Sequence, residues 1–263
     1  MLSLNKDHIQ RQFDRCANSY DQVAQMQRDI VADLASLMNV DLVSNSSLNV
    51  LDAGCGTGYG LQILQQQCRS ATFKGLDLAP EMLKVAQQQS PNAEFVQGDI
   101  ERLPFGDNQF DLTWSSSAIQ WCDFANAVDE IKRVTKPEGA ILLSTFTAGT
   151  LRQWREIWGV QSAERFINLA EIERALTSAG LDNVSIIEKT YEQSFTSFSS
   201  AVNSIRELGA GNAEVSRSQG LLGVERYRSI KAQVSQVIKS EGQIVLPYNV
   251  VLISANKAKE STL

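Results

Sequence analysis

The chain holds one histidine in 263 residues, His8, and that scarcity excludes a good deal of chemistry. Imidazole is the usual general base of nucleophilic triads, so a Ser-His-Asp enzyme would have to be built around one residue close to the N-terminus. The four cysteines, Cys16, Cys55, Cys68 and Cys122, form no C-x-x-C pair, which argues against a zinc site or a thioredoxin-like couple. Scattered free thiols fit a reducing compartment, and a cytoplasmic location is expected. No apolar run approaches the ~20 residues of a membrane helix, and the opening MLSLNKDHIQRQF turns polar too soon for a secretory signal. Cations are in the minority as well. The 24 Lys and Arg stand against 30 Asp and Glu, a formal charge of −6, so neither a nucleic acid nor an anionic membrane is an expected partner.

What is present is apolar mass, 43% of the residues, enough to fill one large core, and a single domain over 1–263 is expected. Ile9, Phe13, Cys16, Tyr20, Val23, Met26, Ile30 and Leu34 recur at three- and four-residue spacing, which predicts a helical cover over 7–38. Strand and helix patterns then alternate. Strands are expected at 48–53, 72–77, 93–97, 110–115 and 139–146, and helices near 59–68, 80–89 and 124–135. Such alternation predicts an α/β fold with a doubly wound, mostly parallel sheet. Further on come a helix at 151–160 and one at 169–179, capped by Asn168 and stopped by Gly180. Strands at 183–188 and 244–255 then bracket a mostly helical insertion at 190–241. Cover and insertion are both placed to lie over the C-terminal strand edges, where ligands bind in such sheets.

The chemistry begins where Val50-Leu51-Asp52-Ala53 runs into Gly54-Cys55-Gly56-Thr57-Gly58 and then a helix. Residues without side chains let the backbone approach a ligand, and a helix N-terminus offers unpaired N–H groups. The spacing is D-x-G-x-G-x-G. A dinucleotide fingerprint would need glycine where Tyr59 or Leu61 stands. Asp77 ends the second strand, nineteen residues beyond Gly58, where an acid can accept from both ribose hydroxyls or cap the helix that starts at Pro80. After the third strand, Asp99 can accept from an adenine amino group while Ile100 covers a ring face, or Asp99 can be a plain turn residue. The strand from Phe110 opens onto a serine cluster, Ser115 to Ser117, beside the same cleft.

In this order and spacing, residues 45–146 resemble the class I S-adenosylmethionine-dependent methyltransferases. The resemblance implies a seven-stranded Rossmann-like sheet, closed by the strands 183–188 and 244–255, with the 190–241 insertion as a helical lid. It implies a site too. Asp52, Gly54, Gly56 and Gly58 face the methionine end of S-adenosylmethionine, and Asp77 binds the ribose. Leu78 and Met82 flank the ring, Asp99 and Ile100 hold the adenine, and Ser115 lies alongside. Core packing is the other role open to Met82. No metal is expected.

A narrower likeness lies outside the cofactor half. Lys6-x-x-Ile9-x-x-x-Phe13-x-x-x-Ala17-x-x-Tyr20, Met26-Gln27-Arg28, Asp99-Ile100-Glu101-x-Leu103-Pro104, Ala118-Ile119-Gln120-Trp121-Cys122 and Ile205-Arg206-Glu207-Leu208-Gly209-Ala210-Gly211-Asn212 are similar to the malonyl-acyl-carrier-protein O-methyltransferases of biotin synthesis. That implies methyl transfer to the free carboxylate of a malonyl thioester on acyl carrier protein, giving the ester that starts pimeloyl synthesis. A carboxylate suits a chain with one histidine, because it is already ionised at neutral pH and needs no base.

Two catalytic candidates follow. Tyr20 can position the substrate or close over the sulfur, or it can simply pack. Arg206 can anchor the malonyl carboxylate or meet the carrier. Residues 199–240 carry six cations against three acids, which suits an acidic partner and equally an ordinary solvated helix face. A small-molecule or quinone methyltransferase remains open, as does a non-catalytic S-adenosylmethionine-binding module. Nucleic-acid methyltransferases fit poorly, since no Asp/Asn-Pro-Pro-aromatic run follows 110–115 and no Pro-Cys pair occurs.

Overall fold

Val50, Leu51, Asp52 and Ala53 are all buried, which is why this run shows no alternation of polar and apolar residues: the strand is covered on both faces. It forms β1 (Asn49–Ala53) of a computed structural model that describes residues 5–39, 47–158, 166–207, 224–237, 239–240 and 243–259. Beside it lie β2 (Thr72–Asp77), β3 (Glu94–Gln97), β4 (Phe110–Ser116), β5 (Thr135–Phe146), β6 (Leu181–Phe195) and β8 (Gln243–Lys257). The order is β3-β2-β1-β4-β5-β8-β6, and the two-residue β7 (Lys239–Ser240) pairs with β8. Strands β1 to β5 are mutually parallel, and β8 runs antiparallel to both β5 and β6. This is the mostly parallel seven-stranded sheet, with β7 as a short addition.

Helices cover both faces. On one, α3 (Gln25–Ala35) and α4 (Tyr59–Gln67) bring Ile30, Leu34, Leu61 and Leu64 against Val50, Trp114 and Leu252. On the other, α6 (Phe124–Val134) and α8 (Leu169–Ser178) bring Ile131, Val134, Ile172 and Leu176 against Leu51, Ile141 and Ile253. Leu252 and Ile253 go to opposite clusters because neighbouring strand residues point to opposite faces. Asn168 caps α8 in a reciprocal box with Glu171.

Strand β5 starts at Thr135 rather than 139, and larger differences from the sequence reading lie in the cover and around β6. The cover over 7–38 is three helices: α1 (Lys6–Cys16), α2 (Tyr20–Val23) and α3. The apolar side of α1, with Phe13, Cys16 and the following Ala17, packs on Met82 of α5 (Pro80–Gln89) and on Ala79 just before it, whereas α3 packs on the main core. Two separate docking surfaces require the chain to turn between them. Strand β6 runs to Phe195 rather than 188, because it pairs with β8 along its length. Glu188 to Gln193 is mostly exposed at the sheet edge and offers no apolar run. The insertion therefore starts with α9 (Phe198–Glu207) and continues in α10 (Val224–Val237), after α7 (Arg152–Trp158). Gly209 to Asn212 and Arg217 lie outside the described residues.

Asp21 ties the cover to the sheet. Its Oδ1 accepts from the Thr57 hydroxyl at 2.7 Å and its Oδ2 from the Gln89 side-chain amide at 2.9 Å. Hydrogen bonds to a charged group contribute roughly 1.5–3 kcal/mol each. Asp21→Ala is expected to accelerate hydrogen exchange of the α1 to α3 amides by at least tenfold while β1 and β4 amides stay protected. Uniform exchange across both regions would show that the cover is not held at this point.

Candidate active site

The C-terminal ends of β1, β2 and β4 and the segment after β3 open onto one cleft, covered by α1, α2 and α3, with about 1000 Å³ of space continuous with solvent. It lies where the strand order reverses, between β1 and β4. The glycine loop forms its floor. Gly54, at φ +82°, donates its N–H to the Leu76 carbonyl at 2.7 Å, and a Cβ there would stand 2.3 Å from that of Ala118. Gly58, at φ +90°, precedes α4, and a Cβ on it would press on Ala86 at 3.2 Å. Only a residue without a side chain suits either position.

Asp77 organises the loop. Its Oδ2 accepts the Gly56 N–H at 2.9 Å and its Oδ1 the Ala79 N–H at 2.8 Å. Burial raises its carboxyl above the ordinary range despite those two donors. Asp52, 2% exposed, is pushed up to about 8, by burial first and then by the charge of Asp77. Room for it is made by Gly60, where a Cβ would come within 3.1 Å of Asp52 Oδ2 and 3.3 Å of Trp114 Nε1.

Asp99 lines the cleft, and its Oδ1 is held by the Lys6 ammonium at 3.0 Å and the Glu101 N–H at 3.1 Å. Lys6 also pairs with Glu101 at 2.5 Å and donates to Cys122 Sγ at 3.6 Å. Burial lowers the Lys6 affinity for its proton, but Cys122, Glu101 and Asp99 together hold it above the usual lysine range. Asp99, Glu101 and Cys122 are close enough to form a three-ligand cation site, and the Lys6 ammonium sits on all three. Ile100, Leu78 and Met82 line the same cleft, and Met82 packs on Ala17 and Ala79 as well.

Ser115 is placed elsewhere. It is fully buried, lies outside the cleft lining, and donates its hydroxyl to the Ala53 carbonyl at 2.7 Å. The two-residue period of β4 gives the cleft Trp114 and Ser116 instead, followed by Ser117. Tyr20 lines the cleft edge-on to Phe13, with ring centroids 6.3 Å apart. Burial, then the negative groups around it, push its phenol well above the ordinary tyrosine range, so it stays a neutral donor. The Arg206 side chain lies outside the described residues, and no described residue of 190–241 lines the cleft. His8 is exposed on α1, also outside the lining.

Several lining residues had no signal of their own in the sequence. Arg28 lies over the Tyr59 ring at 5.3 Å and donates to the Asp21 carbonyl at 2.6 Å, while its Nε is buried with no partner. Trp114 Nε1 is likewise buried and unpartnered.

A model of the methyltransferase domain matches residues 51–143. The malonyl-[acyl-carrier protein] O-methyltransferase of Herminiimonas arsenicoxydans is 30% identical over 98% of this chain and 99% of its own length. That of Methylovorus sp. (strain MP688) is 32% identical over 94% of this chain and 88% of its own. The chain belongs to the malonyl-[acyl-carrier protein] O-methyltransferase family. Among solved structures, the YcgJ protein of Bacillus subtilis superposes with a TM-score of 0.61 at 20% identity, over 87% of this chain and 100% of that one. Phosphoethanolamine N-methyltransferase 2 of Haemonchus contortus, in complex with S-adenosyl-L-methionine, gives 0.59 at 18% identity, over 94% of this chain and 57% of that one. At such identities these structures establish the fold.

The titration of Asp52 gives this methyltransferase a pH-dependent stability. An unfolded aspartate titrates near about 4. Below that pH both states hold the proton. As pH rises from about 4 through about 8, the unfolded carboxyl ionises freely while the buried one resists, so folding stability is lost across that window. Asp52→Asn removes this contribution. Urea midpoints at pH 5 and pH 8.5 are expected to show the variant gaining on the unsubstituted protein at the higher pH; a gap unchanged between the two would refute it.

Proposed function

We propose that this methyltransferase carries a methyl group from S-adenosylmethionine to the free carboxylate of a malonyl thioester on acyl carrier protein, and that the ester enters pimeloyl synthesis. The observation that carries this reading is likeness over 98% of the chain, cover and insertion included, to a relative named for that acceptor. A cytoplasmic location belongs to the same proposal, and no described helix is long and apolar enough to cross a membrane.

The cleft suits the co-substrate on its own chemistry. Each Asp77 oxygen accepts one backbone N–H and keeps capacity for a ribose hydroxyl. Asp99 accepts at Oδ1 from Lys6 and Glu101, leaving Oδ2 for an adenine amino group. Arg28, with its unpartnered Nε, would hold the methionine carboxylate, and Asp52 would face the ammonium. Gly54, Gly56 and Gly58 let that ligand lie against the backbone. When bound, S-adenosylmethionine supplies a methyl group on a positively charged sulfur.

A carboxylate acceptor forms the new C–O bond with its own lone pair, and no proton has to leave. The protein's task is then to position and to exclude water. Tyr20, neutral and at the junction of the cleft with the space beyond, fits that task. For the carrier, exposed Arg228 and Lys231 on α10 offer cations to an acidic surface.

Incubating the protein with S-adenosylmethionine and malonyl-acyl carrier protein is expected to add one methyl mass to the acyl group, removable by mild base. Transfer to quinones with none to the thioester would favour the small-molecule reading, and binding without transfer would favour the non-catalytic one. Asp77→Asn is expected to weaken S-adenosylmethionine by ~1–2 kcal/mol, through loss of charge-assisted hydrogen bonds to ribose. Calorimetry returning an unchanged affinity would remove Asp77 from the ribose site.

A further inference from the structure

The cleft continues into a second, narrower space, reached past Phe13, Tyr20, Gln27, Ser117 and Trp121, which line both. Its remaining walls come from Met26 of α3, Gln120 of the 3₁₀ turn Ile119–Trp121, Phe146 of β5, Thr150, Phe166 and Tyr248 of β8. Among the described residues, none that lines this chamber is acidic or basic. The cleft, by contrast, is lined by Lys6, Arg28 and the acids Asp21, Asp52, Asp77 and Asp99.

Four polar atoms of residues lining the second chamber are buried without partners: Gln27 Oε1, Ser117 Oγ, Gln120 Oε1 and the Tyr248 hydroxyl. Ser117 Oγ and Gln120 Oε1 meet no hydrogen-bonding group, and Gln120 as a whole is 8% exposed. The orientation of the Gln120 amide is fixed by chemistry, because its Nε2 donates to the Ser117 carbonyl at 2.6 Å, a position its oxygen could not take. Its Oε1 is therefore an acceptor in want of a donor. Ser117 has φ +53°, unfavourable for a residue with a side chain, and is held there by its N–H donating to Ser144 Oγ at 3.0 Å and to the Ser144 carbonyl at 3.2 Å. Buried polar atoms without partners are costly, and a strained residue next to one marks a place shaped for a ligand.

We infer that this chamber is the acceptor subsite, in which the Ser117 hydroxyl donates to a malonyl oxygen and Gln120 Oε1 accepts the first amide N–H of a pantetheine-type arm. The inference rests on the carboxylate acceptor proposed above. A pantetheine-type arm joins methylenes to amide N–H groups, which matches an aromatic-walled space where Gln120 Oε1 is an acceptor without a donor. The absence of charge from the lining fits the reaction as well. The acceptor carboxylate and the sulfonium lose their charges together as the C–O bond forms, the C–S bond breaks, and its electron pair stays on sulfur. A cation paired with the carboxylate would stabilise the separated charges more than the transition state and so slow the transfer. The acceptor is gripped through the neutral groups of Ser117 and Gln120.

Two synthetic acceptors separate the roles: malonyl-N-acetylcysteamine, which carries the amide, and malonyl S-butyl thioester, which lacks it. The unsubstituted protein is expected to show at least a tenfold lower KM for the amide-bearing thioester. Gln120→Met should bring the two to within twofold of each other, with S-adenosylmethionine affinity unchanged as the check on folding. Ser117→Ala should raise KM for both alike, at least fivefold, and leave their ratio intact. An unsubstituted protein without preference, a Gln120→Met variant that keeps it, or a Ser117→Ala variant with unaltered KM would each overturn the assignment. If neither thioester is methylated, the proposed function fails, and calorimetric binding of the same two compounds to the S-adenosylhomocysteine complex still decides the subsite. A preference for the amide that Gln120→Met abolishes upholds it, and equal or absent binding overturns it.

Discussion

One carboxylate sets the geometry on which the rest of the site depends. Asp77 sits at the end of β2 and spans two backbone segments, accepting the N–H of Gly56 on one side and of Ala79 on the other. The first bond holds the glycine loop against the sheet, where the Leu76 carbonyl already receives Gly54 and Cys55. The second fixes the entry to α5. Burial raises Asp77, and the charge on Asp77 helps to raise Asp52, so two acids share a space that disfavours both being ionised at once. A ligand bearing an ammonium and a sulfonium relieves that repulsion, which a neutral ligand of the same shape would not. Electrostatic selection is thus inherent in the loop before any contact with the acceptor.

The cover answers to the same place. Asp21 reaches Thr57 on the glycine loop, and Lys6 reaches Asp99 and Glu101 beyond β3, so α1 and α2 are fastened at both ends of the cleft. Lys6 neutralises the acids Asp99 and Glu101, whereas Asp52 and Asp77 have no such cation on them among the described residues. The helices that enclose the ligand are therefore held by groups adjoining its binding residues. Disturbing the loop should loosen the cover, and loosening the cover should expose the loop.

This explains what was legible in the sequence. The parallel strands and the glycine loop declare themselves within a few residues, through unbroken apolar runs and spacing set by backbone sterics. Asp77 and Asp99 were readable because each follows a strand at the edge where ligands bind. Lys6, Arg28 and Gln120 stood in the family-like runs, but their contacts, like those of Asp21, were not readable, since they arise from folding: Thr57 and Asp21 are 36 residues apart, Lys6 and Asp99 are 93. Ser115 shows a finer limit. The serine cluster was visible, but which serine faces the cleft depends on strand parity, and that falls to Ser116 and, beyond the strand end, Ser117. The break of the cover into three helices was hidden for a related reason. Its apolar period continues across 7–38, while the surfaces it meets do not lie along one line.

Charge is distributed in this molecule according to what each space has to accomplish. The cleft gathers the acids Asp21, Asp52, Asp77 and Asp99 and places Arg28 and Lys6 among them. The adjoining chamber is lined, among the described residues, by aromatic, thioether, hydroxyl and amide groups and by no ionised side chain. A reaction that destroys a pair of opposite charges gains from weak solvation of that pair, provided the two are brought together in the right orientation. Binding strength then has to come from elsewhere along the acceptor, through apolar contact and neutral hydrogen bonds that persist unchanged through the transfer. The single exposed histidine fits the same logic, because an acceptor that arrives ionised leaves the site with no proton to remove.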